Sequence, residues 1–99
     1  MKIINLPSAR EDLADGFAFY EKQEQGLGSY FLESLFSDID SLRLYGGIHR
    51  KVLGYHRLLS NRFPYAAYYS LENDTVFVWA VLDCRQDPAN IQRKLKSLR

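Results

Sequence analysis

Tyr65-Ala66-Ala67-Tyr68-Tyr69-Ser70-Leu71-Glu72-Asn73-Asp74-Thr75-Val76-Phe77-Val78-Trp79-Ala80-Val81-Leu82 decides the fold class of this 99-residue chain. Two runs rich in β-branched, aromatic and aliphatic residues flank a three-residue polar break, which is the pattern of two antiparallel strands joined by a tight turn. The second run, Val76 to Leu82, is apolar at every position. A strand of that kind belongs in the middle of a sheet with both faces covered.

Upstream, Tyr55 to Ser60 is a further candidate strand, and Phe63-Pro64 leads into the Tyr65–Leu71 strand. With Thr75–Leu82 this makes a three-stranded antiparallel meander. Downstream, Ile91, Leu95 and Leu98 recur at helical spacing, so the tail from Ala89 to Leu98 is expected as a short helix.

The first half follows a different period. Lys2-Ile3-Ile4-Asn5-Leu6 is a short apolar run ended by Pro7, a first strand that proline cannot prolong inside a sheet. Ser8-Ala9-Arg10-Glu11 has the spacing of a capping box, which starts a helix at Ala9. Leu13, Phe17 and Tyr20, with Ala9, Ala14 and Ala18 beside them, continue it. Gly26-Leu27-Gly28 breaks that helix, and Leu27, Phe31, Leu35, Ile39 and Leu42 begin a second apolar stripe that lasts to Gly46-Gly47. The expected architecture is α+β: an N-terminal strand, an antiparallel helical hairpin, a meander completing one sheet, and a short C-terminal helix. Residues 1–99 fit a single domain.

Composition narrows the function classes. The apolar share of 46% and aromatic share of 14% are those of a folded globule rather than a disordered chain. No run approaches the roughly 20 apolar residues a membrane span needs, and the N-terminus lacks a signal-peptide pattern, so a cytoplasmic protein without membrane contact is expected. The single cysteine, Cys84, forms neither an internal disulfide nor a metal cluster. It is expected as a structural residue. His49 and His56 stand seven residues apart with no cysteine nearby, which is not a metal-ligand spacing. No metal or cofactor motif is present.

Net charge is +1, but residues 1–42 carry eight acidic and three basic side chains, and residues 43–99 ten basic and four acidic. Either an anionic partner faces the second half, or the helices of the first half simply present a solvated acidic face.

Several local motifs carry a resemblance: Ala9-Arg10-Glu11-Asp12-Leu13, Phe19-Tyr20-Glu21, Gly26-Leu27-Gly28, Arg62-Phe63-Pro64-Tyr65-Ala66 followed by Tyr68-Tyr69, and Val81-Leu82-Asp83-Cys84-Arg85-Gln86-Asp87-Pro88. In this order, from Ile3 to about Pro88, the chain resembles the RelE/ParE family of toxins from type II toxin–antitoxin systems. The resemblance implies a growth-arresting toxin neutralised by a cognate antitoxin in a hetero-oligomer. Its target would be DNA gyrase in the ParE branch, or the ribosome and its messenger RNA in the RelE branch.

The nucleases of the family are similar to one another in placing Tyr or His near the chain end. Here the last Tyr is Tyr69 and the last His is His56. That departure favours the ParE-like branch and leaves no catalytic residue to name. Asp83, Asp87, Lys94 and Lys96 are the ordinary titratable groups near the chain end, and their spacing singles out none. A third reading is a non-toxic member that retains antitoxin binding.

The target-contact candidates are Arg57, Arg62 and Arg85, expected to converge near one sheet edge as a cationic patch. The antitoxin-groove candidates on the helical hairpin are Leu13, Phe17, Tyr20, Phe31 and Leu35. Phe77, Trp79, Tyr68 and Tyr69 are expected in the core rather than as a base-stacking platform. The basic tail from Arg93 is expected as a solvated helix face with Leu95 and Leu98 packed inward.

Overall fold

A computed structural model describes residues 1–98. The chain runs β1 (Lys2–Asn5), α1 (Pro7–Gln23), α2 (Leu27–Asp40), the short α3 (Leu42–Tyr45), β2 (Lys51–Val52), β3 (Tyr55–Leu59), β4 (Tyr65–Glu72), β5 (Thr75–Asp83) and α4 (Pro88–Ser97). The strands form one sheet in the order β1-β5-β4-β3-β2. β2 to β5 pair antiparallel, whereas β1 lies parallel to β5, with Lys2 opposite Thr75 and Asn5 opposite Val78.

The α+β architecture and the three-stranded meander match the expectation from sequence, and β5 is indeed internal. The two-residue strand β2 is an addition. It pairs with β3 through a turn at Leu53-Gly54, where Leu53 takes a left-handed conformation with φ 53°. The turn between β4 and β5 places Asn73 and Asp74 in the same region, at φ 50° and 60°. Two left-handed central residues are what a two-residue hairpin of matching twist requires. Asn and Asp tolerate that conformation well, and leucine does not.

The capping box does not form. Pro7, lacking an N–H and fixed near helical φ, occupies the first helical position, and Leu6 is the N-cap. Ser8 therefore lies inside the first turn, and its hydroxyl donates instead to the Trp79 carbonyl of β5 at 2.5 Å. Asp12, one turn later, accepts from the Val81 N–H at 2.9 Å. β1 stops at Asn5, so these two helical side chains continue the hydrogen bonding that a longer β1 would have given to the open edge of β5.

The α1–α2 turn is closed by Glu21, whose carboxylate accepts from the N–H groups of Gly26 and Gly28. This satisfies orphan donors at the start of α2. Gly28 permits the helices to approach: a Cβ there would lie 2.7 Å from the Phe17 carbonyl oxygen.

Two apolar layers sandwich the sheet. The hairpin side packs Ala9, Leu13, Tyr20, Phe31, Leu35, Ile39 and Leu42 against Tyr65, Ala67, Tyr69, Val76, Val78 and Val81. On the other side Leu95 of α4 seals Tyr55, Ala66, Tyr68, Ala80 and Leu82, with Ile91 and Leu98 at its margin, as the tail pattern predicts. An irregularity between Tyr68 and Tyr69 sets two β5 residues, Trp79 and Ala80, against the α4 side. Past this bulge the alternation is inverted: Val76 and Val78 face the hairpin before it, Val81 after it. That is how an uninterrupted apolar strand serves two cores. Tyr68 and Tyr69 are fully buried, while Phe77 and Trp79 are half-buried.

Candidate functional site

The β3–β4 loop and the β5–α4 turn meet at one end of the sheet, since Tyr65 at the start of β4 pairs with Asp83 at the end of β5. Here Tyr20, Phe31, Phe63 and Tyr65 form an aromatic nest with ring centroids 4.8 to 6.1 Å apart, mostly edge-on or tilted. Two of the three candidate arginines flank it. Arg62 sits over the Tyr30 ring, 5.8 Å from its centroid, and donates to the Tyr30 hydroxyl at 3.3 Å. Arg85 forks onto Asp83 at 2.8 and 3.1 Å and reaches the Tyr20 hydroxyl at 3.5 Å.

The electrostatics of the nest follow from this arrangement. Hydrogen bonds from Arg85 hold the Asp83 carboxyl below its ordinary range. Burial pushes the Tyr65 phenol up to about 12, helped by the Asp83 charge. Burial also raises Tyr20, against the pull of Arg85. The phenols stay protonated, and Arg85 is largely committed to Asp83. Arg62 has no carboxylate partner among the described residues and is exposed. It is the cation here most available to an external anion.

Arg57 is half-buried on the α4 side of the sheet, where it bonds the Tyr68 hydroxyl and lies near Cys84. Arg62 leans onto α2 on the opposite side. The expected convergence of Arg57, Arg62 and Arg85 is therefore split by the sheet: Arg62 and Arg85 share the loop end, and Arg57 does not face them. Cys84, expected as a structural residue, lies exposed on the turn beside Arg85. Crowding of its sulfur and the Asp83 charge push the thiol pKa up despite Arg57, so no reactive thiolate is favoured.

The groove candidates also separate. Phe31 and Leu35 are 0% and 1% exposed and, like Tyr20, point into the sheet, because the i, i+4 stripe that sequence makes conspicuous is the inward one. The outward groove of the hairpin, about 350 Å³, is lined by Arg10, Leu13, Ala14, Phe17, Leu32 and Phe36. Of the five candidates only the half-buried Phe17 borders this groove from its rim; Leu13 reaches its floor but is 3% exposed and belongs to the core. Tyr20, Phe31 and Leu35 are corrected to core residues. Leu32 and Phe36 line the outward groove instead, and the signal was available: both sit on α2 one position from the core stripe.

One cluster escaped the sequence reading altogether. The buried Tyr69 hydroxyl accepts from the Gly47 N–H at 3.0 Å and lies 2.5 Å from His49 Nδ1, while the His56 ring stacks on Tyr69 at 5.0 Å and its Nδ1 bonds the His49 carbonyl. Burial, then the neighbouring His56, lowers the His49 pKa. Tyr69 is inaccessible to a phosphodiester, and the cluster's evident effect is to pin the loop between α3 and β2. Among the described residues no group of three or more His, Cys, Asp or Glu side chains is arranged to hold a metal ion. No helix among them is long and apolar enough to cross a membrane.

No protein-family model matches the sequence, and no curated protein matches it. A solved chain titled "Chromosomal ParDE TA system from P. aeruginosa" superposes with a TM-score of 0.73 at 16% identity, over 82% of this chain and 92% of that one. The fold of this protein, with its edge strand, helical hairpin, meander and closing helix, is ParE-like.

Proposed function

We propose that this chain is the toxin of a type II toxin–antitoxin pair, that it arrests growth by binding a protein target, DNA gyrase in the ParE-like reading, and that a cognate antitoxin neutralises it. The observation that carries the proposal is the ParE-like fold bearing an open apolar groove on the outer face of its hairpin. Phe36 is 45% exposed and lines this groove together with the half-buried Phe17, an apolar concavity on which a partner can dock. An antitoxin segment that orders on binding would lay an apolar stripe there. Arg62, without a carboxylate partner among the described residues and cradled on Tyr30, is the first residue to substitute in search of the target contact, ahead of Arg85, which Asp83 occupies, and Arg57, which is half-buried.

The test is DNA supercoiling by gyrase with the purified chain, titrated with and without the protein encoded beside it. Inhibition that the neighbour relieves supports the proposal. Growth arrest with gyrase untouched and with translated messages cleaved would overturn the gyrase assignment in favour of a RelE-type endonuclease. Overexpression without growth loss would leave only antitoxin binding.

A further inference from the structure

Among the described residues, exposed large apolar side chains gather most densely in the stretch after α2. Leu44 is 81% exposed, Tyr45 54%, Ile48 74% and Leu53 46%. None of these residues lines the hairpin groove. Isolated exposed leucines are ordinary, but four large apolar residues within ten positions are not.

The segment is also held rather than loose. Tyr69 and His49 anchor it through the Gly47 N–H and the imidazole, and β2 fixes its far end to β3. The side chains are thus presented outward by a backbone whose ordering cost is met in the free protein, as preorganised binding surfaces are. Leu53 departs from expectation on two counts. It is apolar where solvent reaches it, and it is left-handed at a turn where asparagine would be unstrained. An exposed residue kept against both preferences points to a role outside folding.

Charge identifies the occupant. Arg50 and Lys51 are exposed and have no ion-pair partner among the described residues, whereas Arg43 is paired with Asp40 at 2.7 Å. Residues 43–57 contain no Asp or Glu. Beside β2 a cavity of about 560 Å³ is lined by Lys51, His56, Ser70 and Trp79, with Glu72 the sole acid among its lining residues. A second copy of this chain fits poorly. A two-fold contact through this segment would set its cluster of cations, with no acid between residues 43 and 57, against its own image.

We propose that residues 44–53 form a second docking surface, for a partner protein segment in which apolar side chains are flanked by carboxylates. The apolar anchors cover Leu44, Tyr45, Ile48 and Leu53, and the carboxylates meet Arg50 and Lys51, with the cavity beside β2 receiving one of them.

The probe is a fluorescein-labelled synthetic peptide alternating Leu and Phe with Glu and Asp, compared with the same peptide carrying Lys in place of every acid. The acidic peptide binds the wild-type chain, weakens as salt rises, and loses about tenfold affinity on Ile48→Ser and on the double change Arg50→Glu, Lys51→Glu. Methyl shifts at Leu44, Ile48 and Leu53 in the isotope-labelled chain locate it. Leu53→Asn weakens binding while raising the unfolding temperature, which separates loss of a surface from loss of the fold. Equal binding of the two peptides, methyl shifts at Leu13 and Leu32 instead, or no binding would overturn the proposal. So would a dimer in sedimentation that Ile48→Ser dissolves.

Discussion

Asp12 offers the sharpest quantitative test of how this sheet is completed. Its carboxylate caps the Val81 N–H on the part of β5 that β1 leaves open, and burial raises its pKa from 3.8 to about 6, outweighing the hydrogen bond from Val81 and the Lys94 charge that lower it. A folded pKa above the unfolded one means that the native state binds the proton more tightly. Its contribution to stability is therefore full below about pH 4 and is lost as pH rises through 6. The displacement, net of those opposing effects, corresponds to at most about 3 kcal/mol at pH 7.5, and to less once water screens the partly exposed carboxylate. Asp12→Asn keeps an acceptor for Val81 and removes the charge, at the expense of a weaker neutral hydrogen bond, about 1 kcal/mol. The variant is thus expected to be more stable than wild type by at most about 2 kcal/mol at pH 7.5, and by close to nothing at pH 4. Urea denaturation of both proteins at the two pH values measures this directly. A variant less stable at pH 7.5, or a difference independent of pH, would refute the reasoning, because the carboxylate would then be stabilising in its charged form. Asp12→Ala is the control. It leaves the Val81 N–H without its acceptor and is expected to lose about 1–3 kcal/mol relative to Asp12→Asn.

The remaining predictions concern the two faces of the hairpin and the pinned loop. Phe31→Ala, at a fully buried site in the aromatic nest, is expected to cost about 3–5 kcal/mol in chemical denaturation. Phe36→Ser, on the outer face, is expected to leave the unfolding midpoint nearly unchanged and to abolish antitoxin binding in calorimetry; unimpaired binding would remove the groove from consideration. Tyr69→Phe withdraws the acceptor of the Gly47 N–H and the partner of His49, and is expected to cost about 1–3 kcal/mol. Because the His49 pKa is depressed in the folded state, its share of stability is present above pH 6.5 and is lost as pH falls below it. A His49→Gln variant should flatten that part of the stability profile. Gly28→Ala would push a methyl group against the Phe17 carbonyl, so a destabilised hairpin is expected by thermal melting.

What the sequence made legible were the features written in periodicity. The all-apolar run Val76 to Leu82 announced an internal strand, and Leu95 with Ile91 announced the helix that closes the second face. The errors lie where local pattern and tertiary demand compete. Ser8 and Glu11 have the spacing of a capping box, yet Pro7 takes the first helical position and β5 needs the Ser8 hydroxyl more than the helix does. β2 was invisible because two residues carry no period, although Leu53-Gly54 between them and Tyr55 was a turn signal. The bulge that hands Trp79 and Ala80 to the same core has no signature in a strand apolar at every position. The arginines failed to converge for a topological reason: alternate residues of β3 face opposite layers, and nothing in a list of basic residues says which layer each will join.

The hairpin itself explains why most of the groove candidates lie in the core. Burial drives folding through the face that meets the sheet, and any apolar stripe strong enough to be seen in sequence is the one folding uses. Residues that serve a partner must therefore be sought in what is left after the core stripe is subtracted. On α2 that remainder is Leu32 and Phe36, and on α1 it is Ala14 and the half-buried Phe17, which meet in one groove because the helices run antiparallel. The same subtraction on the loop after α2 leaves Leu44, Ile48 and Leu53, none of which the two cores require. Two apolar surfaces that folding does not need, separated by the end of α2, are difficult to reconcile with a protein whose work is done alone. If both are covered by partners, substitutions on the two surfaces should weaken binding at each independently, since Phe36 and Ile48 belong to different patches and share no lining residue.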